Sequence, residues 1–155
     1  MTMGDRVAVL KDGILQQVDT PRQIYDAPVN AFVATFFGSP SMNIFPARIV
    51  DSGVSVYGTT LPINRDILIQ PTHDEVLVGV RPEDLHLSES GIEVTVTLVE
   101  QLGAETLIYA TTQLGGHSVV VRSRGFNAPR IGDIAHVTLH NILVFNAAGN
   151  KERLG

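Results

Sequence analysis

The spacing of glycine and proline restricts this chain to short secondary-structure elements. Its 14 glycines and 8 prolines are spread along 155 residues, and short runs of alternating apolar and polar residues lie between them. A period of two is typical of a half-buried strand, because successive strand side chains point to opposite faces. We predict strands at residues 43–50, 54–57, 76–80, 93–99, 106–112, 119–122, 134–139 and 142–145. Many short strands with frequent turns indicate a mainly β fold, a small barrel or sandwich.

The same alternation predicts which side chains form the interior. In each run the apolar positions share one face, and their neighbours are more polar. We expect these residues to be buried: Val78, Val80, Leu98, Leu107, Val119, Val121, Val137, Leu139 and Val144.

The first forty residues have a different pattern, which predicts a β-hairpin followed by two short helices. Strands at residues 6–11 and 14–18 are joined by Asp12-Gly13, a dipeptide suited to a two-residue hairpin turn. Helices are predicted at residues 21–27 and 31–37. Their expected N-caps are Thr20 and Asn30, whose side chains can accept hydrogen bonds from the first helical turn. Ser39-Pro40-Ser41 then indicates a linker.

The overall composition excludes several classes of protein. The formal net charge is −5, whereas a nucleic-acid-binding domain usually carries a basic face. There is no cysteine, which excludes disulfides and thiolate metal sites. No apolar run approaches the ~20 residues that a membrane-spanning helix needs. We therefore expect a soluble, cytoplasmic protein that binds no nucleic acid.

Few polar residues suggest a binding site. Arg81-Pro82-Glu83-Asp84 follows a predicted strand and is expected to form a tight turn, with Arg81 in a structural role or bound to an anion. Arg122-Ser123-Arg124-Gly125 is the only dense basic segment, and it either faces an oxyanion or forms a solvated edge that keeps strands from pairing, which is the commoner role. The candidate ligand or partner contacts are therefore Arg81, Glu83, Ser123 and Arg124.

The histidines do not predict a metal site. His136 and His140 are four residues apart, which would place both on one face of a helix. Their segment alternates as a strand does, and four strand residues span roughly 13 Å, too far for two ligands of one ion. No spacing of serine, histidine and acidic residues suggests a catalytic set, so we predict no catalytic or metal-binding residues.

Several longer segments resemble one family. The opening MTMGDRVAVLKDGILQQVDTPRQIYDAPVNAFVATFFGSPSMN resembles the end of the ATPase domain in the ATP-binding subunits of sugar and glycerol-phosphate ABC importers. VGVRPEDL (78–85), VEQLGAETLIYA (99–110) and NILVFNAAGNKERL (141–154) resemble the transport-associated OB domain, or TOBE domain, of the same subunits. The resemblance implies a remnant of the ATPase domain at residues 1–40 and an OB-like, TOBE/MOP-like regulatory domain at residues 41–155.

The resemblance also implies what this chain lacks. It contains no G-x-x-x-x-G-K-[ST] segment, and therefore no phosphate-binding loop with its lysine. ATP and Mg²⁺ would bind in the ATPase domain of the parent subunit, so no cofactor is expected here and this chain by itself is not an enzyme. Thr72-His73-Asp74-Glu75 is similar to the family's switch-histidine loop, but in the family that loop precedes the position of Met1. We interpret it as a surface turn.

The family further implies the partners. They are a second copy of the chain, the transmembrane permease subunits and possible regulatory proteins, at the inner face of the cell membrane. Two alternatives remain: an OB-type domain that binds a small oxyanion through Arg81, Ser123 and Arg124, and a free-standing enzyme, for which no convergent residues are found. Because a lone hairpin is marginal in water, the N-terminal segment is expected to be exchanged with a second copy or disordered.

Overall fold

The computed structural model describes residues 4–68 and 74–155 of the chain. The N-terminal segment contains strands β1 (Val7–Lys11) and β2 (Ile14–Asp19) and helices α1 (Pro21–Asp26) and α2 (Ala31–Phe36). The remaining strands are β3 (Asn43–Val50), β4 (Gly53–Val56), β5 (Thr59–Leu61), β6 (Glu75–Val80), β7 (Leu85–Ser88), β8 (Ile92–Leu102), β9 (Glu105–Thr112), β10 (Ser118–Arg124), β11 (Ile134–Leu139), β12 (Leu143–Asn146) and β13 (Arg153–Leu154). Two 3-10 helices span Arg65–Leu68 and Pro82–Asp84. No helix among the described residues is long and apolar enough to cross a membrane.

The N-terminal elements form where the sequence predicts them. Asp12 and Gly13 both have positive φ angles, 51° and 76°, as a two-residue turn between twisted strands requires. The Thr20 hydroxyl accepts a hydrogen bond from the backbone N–H of Gln23, and the Asn30 side chain accepts one from Val33. Both helix N-caps are therefore confirmed.

The other strands form two antiparallel sheets. One has six strands in the order β13-β12-β6-β3-β4-β5, and the other has five in the order β10-β9-β8-β11-β7. Every predicted strand from position 43 onward is present, and three further strands, β5, β7 and β13, were not predicted. β5 and β13 have only three and two residues, too few to show a periodic pattern, and β7 has four.

The two sheets share one apolar interior, which confirms most of the predicted core. Val78, Val80 and Val137 are fully buried at the centre of a cluster to which both sheets contribute. Phe45 adds the largest side chain of this cluster and is fully buried as well.

Leu98 was wrongly predicted to be in the core. Its side chain is 44% exposed, although Val94 and Val96 on the same strand are buried. The pairing of β8 with β9 shifts between Val96 and Leu98, so that one extra residue enters β8. A β-bulge of this kind reverses the inward and outward faces beyond it, and alternation alone does not reveal it.

The two larger sheets, β3 to β13 (residues 43–154), are called the β-domain below. The N-terminal segment packs on the β-domain of its own chain, so the expectation of a disordered or exchanged segment was wrong. Ala31 and Ala34 of α2 contact Met42 and Phe145, which are all buried. The N–H of Ala31 donates to the carbonyl oxygen of Lys151 at 3.0 Å. These contacts anchor α2 against the six-stranded sheet, close to the C-terminus of the chain.

Candidate functional site

Arg81 joins the N-terminal segment to the β-domain. It lies directly after β6 and is only 5% exposed. Its guanidinium donates hydrogen bonds to the carbonyl oxygens of Ala34, Phe37 and Tyr25 at 3.0, 2.9 and 2.8 Å, and it stacks 3.9 Å from the centre of the Tyr25 ring. A planar guanidinium can bind several acceptors at once, which the single ammonium group of lysine cannot do in the same geometry.

This burial places Arg81 in a structural role, and burial lowers the pKa of its guanidinium from the ordinary value. Two carbonyls that it binds, those of Ala34 and Phe37, belong to the last turn of α2 and the residue after it, where helix carbonyls lack intrahelical partners. Arg81 thus supplies hydrogen-bond donors to carbonyl oxygens at the C-terminal end of α2. Its positive charge also interacts favourably with the negative end of the helix dipole.

Tyr25 extends this contact toward a group of charged residues. Its hydroxyl is hydrogen-bonded to the carboxylate of Glu83. Burial, followed by the hydrogen bond to Glu83 and the negative charge of Glu83, raises the pKa of the Tyr25 phenol from 10.0 to about 12. The neutral phenol is therefore the donor at ordinary pH.

Arg122 lies between two carboxylates without a close hydrogen bond to either. Its guanidinium nitrogens are 4.0 Å from Glu83 and 3.7 Å from Glu105. The Nε atom of Arg122 and the Oε2 atom of Glu83 are both buried and have no hydrogen-bond partner among the described residues. Arg122 also donates to the carbonyl oxygen of Ser39, in the predicted linker, at 2.8 Å. One buried donor and one buried acceptor of this group are therefore unsatisfied within the described part of the chain.

A groove of about 530 Å³ opens beside this group, between strands β7 and β10. Its lining comprises Glu83, Leu85, His86, Leu87, Glu105, Val121, Arg122, Ser123 and Arg124. Three of the four predicted contact residues, Glu83, Ser123 and Arg124, therefore line one groove. Arg81 lies behind it and faces the N-terminal segment.

Sequence patterns did not single out every residue of this groove. Glu105 and His86 had no signal of their own, and His86 lies on the unpredicted strand β7. The rings of His86 and His140 stack with their centres 4.2 Å apart. Because β7 pairs with β11, the two histidines come together although 54 positions separate them in the sequence. Among the described residues, no group of three histidine or acidic side chains is arranged to hold a metal ion.

Comparison with known proteins identifies the family. A MalK OB fold domain matches residues 38–85, and a TOBE domain matches residues 78–144. The diacetylchitobiose uptake system ATP-binding protein MsiK of Streptomyces coelicolor is 44% identical over 160 residues. The chain belongs to the MalK/TOBE-type ATP-binding subunits of ABC importers.

Other relatives of this MalK/TOBE-type family carry related names. The sn-glycerol-3-phosphate import ATP-binding protein UgpC of Psychromonas ingrahamii is 39% identical over 142 residues. An uncharacterized ABC transporter ATP-binding protein, YcjV, of Escherichia coli O157:H7 is 38% identical over 149 residues. These matches cover 88%, 86% and 90% of this chain for MsiK, UgpC and YcjV, but only 42%, 37% and 40% of those relatives.

The two domain matches overlap at the site described above. Residues 78–85 belong to both matches, and this segment contains Arg81 and Glu83. The similarity to a switch-histidine loop at His73 lies outside the described residues, so its interpretation as a surface turn stays a prediction.

Proposed function

We propose that this MalK/TOBE-type chain is the regulatory and dimerising part of an ATP-binding subunit that serves import of sugars or related solutes. MsiK and UgpC are named for uptake of diacetylchitobiose and import of sn-glycerol-3-phosphate, which supports this solute class. The parent subunit would be a transport ATPase that binds ATP and Mg²⁺ in its ATPase domain. The chain has no phosphate-binding loop of its own.

The observation that carries the proposal is the contact made by Arg81. The segment that resembles the end of an ATPase domain is fixed to the β-domain by three hydrogen bonds from one buried guanidinium. A movement of the ATPase domain would therefore carry the β-domain with it, because buried charge-assisted hydrogen bonds are costly to break. Such rigid transmission is what a regulatory domain requires.

The location and partners follow from the same proposal. The subunit would lie in the cytoplasm, at the inner face of the cell membrane, bound to transmembrane permease subunits. A second copy of the chain would pair with it, and regulatory proteins would bind the β-domain.

A chimeric subunit tests this function. The ATPase part of MsiK is joined to this chain in place of its own corresponding region, and diacetylchitobiose uptake is measured in cells that lack MsiK. We expect uptake to be restored. The same chimera with Arg81→Ala should bind ATP normally but transport more slowly per ATP hydrolysed. A chimera that hydrolyses ATP but never supports uptake, with or without Arg81, would refute the proposal.

The isolated chain supplies a second test. A fluorescent ATP analogue titrated into it should give no saturable signal, because a phosphate-binding loop is missing. Saturable binding that is abolished by His73→Ala would instead identify His73 as part of a nucleotide site.

Oxyanion binding is the less favoured alternative. Ser123 and Arg124 line an accessible groove, but Glu83 and Glu105 lie within 4.0 Å of Arg122 and would repel an anion there. Calorimetric titration with molybdate and sulfate would decide between the two, since only the alternative predicts heat of binding.

A further inference from the structure

The only two lysines of the chain line one cleft. Lys11 is the last residue of β1, and Lys151 lies between β12 and β13, near the C-terminus. The cleft has a volume of about 370 Å³, and both the N-terminal segment and the β-domain contribute lining residues. Small-molecule sites have volumes of about 300 to 1,000 Å³, so this cleft has room for a small ligand.

Packing holds both lysines at this cleft. The N–H of Lys151 donates to the carbonyl oxygen of Ala148 at 3.2 Å, and the carbonyl oxygen of Lys151 accepts from the N–H of Ala31 in α2 at 3.0 Å. Lys151 has a φ angle of 51°, a left-handed conformation that is uncommon for residues other than glycine. The ammonium group of Lys11 lies 5.2 Å from the centre of the Phe32 ring, a favourable contact between a cation and an aromatic face.

Neither ammonium group has a carboxylate partner. The two lysines form no ion pair within the described part of the chain, and no aspartate or glutamate is among the described lining residues. Asp12 and Glu152, their neighbours in the sequence, are exposed and lie outside the lining. Two positive charges without a compensating carboxylate attract an anion, and they attract a dianion more strongly than a monoanion.

Much of the remaining lining is apolar. Phe32 of α2, Ile44 of β3 and Leu77 of β6 contribute partly buried side chains. The backbone N–H groups of Gly149 and Asn150, which also line the cleft, have no hydrogen-bond partner among the residues that the structure describes. A ligand that fills the cleft would meet positive charge, free donors and apolar surface, so it should combine an anionic group with an apolar body.

We propose that this cleft binds a small, soluble phosphate monoester with an apolar body. Such a phosphate carries a charge of about −1.5 to −2 at pH 7, which matches two lysines, and lysine binds phosphate as a point charge. The phosphate oxygens contact the ammonium groups of Lys11 and Lys151, and the apolar body packs on Phe32 and Leu77. This ligand site rests on the lining of the cleft alone and is independent of the transport function.

Benzyl phosphate is the probe, and lysine labelling makes the site directly observable. The full chain is prepared with ¹³C at the lysine ε-carbons, so that its NMR spectrum contains only two lysine signals. We expect both signals to shift along one saturable curve as benzyl phosphate is added at pH 7.5. Benzyl sulfonate, which has the same body but a single negative charge, should bind about two- to fivefold more weakly because one charge pair is lost.

Two further ligands separate the contributions of the phosphate and of the apolar body. Methyl phosphate keeps the charge and lacks the ring, whereas benzyl alcohol keeps the ring and lacks the charge. Each should bind about tenfold more weakly than benzyl phosphate, because the first loses apolar burial and the second loses both charge pairs. Methyl phosphate that binds as well as benzyl phosphate would show an adventitious ion only and would overturn the proposal.

Variants of the two lysines test the site itself. Lys11→Gln and Lys151→Gln should each weaken binding by about two- to fivefold, followed through the signal of the lysine that remains. Arg124→Gln is the matched control: Arg124 is exposed, forms no ion pair among the described residues and lies outside the cleft, so its loss should leave binding unchanged. A shift of only one lysine signal, an equal effect of Arg124→Gln, or binding to phosphatidic acid vesicles without binding of benzyl phosphate would overturn the proposal.

Discussion

At the scale of single residues, Arg81 is the strongest link between the two parts of the molecule. Arg81→Ala would leave three carbonyl oxygens without their donor. We expect the free energy of unfolding to fall by about 3 kcal/mol, since a buried charge-assisted hydrogen-bond network is lost. Urea denaturation measures this. Arg48→Ala is the matched control: its ion pair with Glu75, at 3.7 Å, is exposed, and its loss should cost less than about 0.5 kcal/mol. Equal effects of the two substitutions would contradict the linking role of Arg81.

Tyr25 should make the stability of the chain depend on alkaline pH. Its pKa is raised to about 12 in the folded state, from 10.0. Because the folded chain holds the phenol proton more tightly than the unfolded chain, this contribution is complete below pH 10 and is lost as the pH rises toward about 12. Denaturation at a series of alkaline pH values should therefore show a decline in stability that is shallower in Tyr25→Phe. Parallel declines in the two proteins would show that another group is responsible.

At the scale of elements, the bulge in β8 decides which of its side chains are buried in the core. Val96 is 1% exposed and Leu98 is 44% exposed, although alternation predicts that both face inward. Val96→Ala should cost about 2 kcal/mol through lost burial and a residual cavity. Leu98→Lys, a larger chemical change, should alter the unfolding free energy by no more than about 0.5 kcal/mol. Thermal and urea denaturation of both variants would check this, and a severe loss in Leu98→Lys would mean that β8 has no bulge in solution.

At the scale of the whole molecule, the N-terminal segment covers its own β-domain yet leaves an apolar outer surface. Ile14, Leu15 and Phe36 are 67%, 55% and 64% exposed. Large exposed apolar side chains favour association where a second copy can cover them, and we expect the full chain to sediment as a dimer or larger species. Replacing all three residues with serine should shift it toward the monomer, whereas Phe126→Ser, at an equally exposed position (67%), should not. A full chain that sediments as a monomer at high concentration would contradict this expectation. Deleting the segment is a poorer test, because it would uncover Phe145, which is fully buried.

The sequence by itself determined the local structure of this protein. The Asp12-Gly13 turn, the caps at Thr20 and Asn30, and most strands follow from backbone preferences and short-range hydrogen bonds, which depend only on neighbouring residues. Two residues of the candidate groove, Ser123 and Arg124, were also predictable, because they belong to the one dense basic segment of the sequence. The strands β5 and β13 escaped prediction because their three and two residues are too few to repeat a pattern.

Only the tertiary structure decided what these elements do together. Glu83 and Arg124 line one groove because the five-stranded sheet curves until its edges β7 and β10 face each other, a result of register and twist summed over all its strands. The N-terminal segment is held in place partly by Arg81, whose carbonyl acceptors lie 44 to 56 positions away in the sequence. No local pattern could reveal these acceptors, because a buried guanidinium is stable only where folding brings several acceptors to it at once.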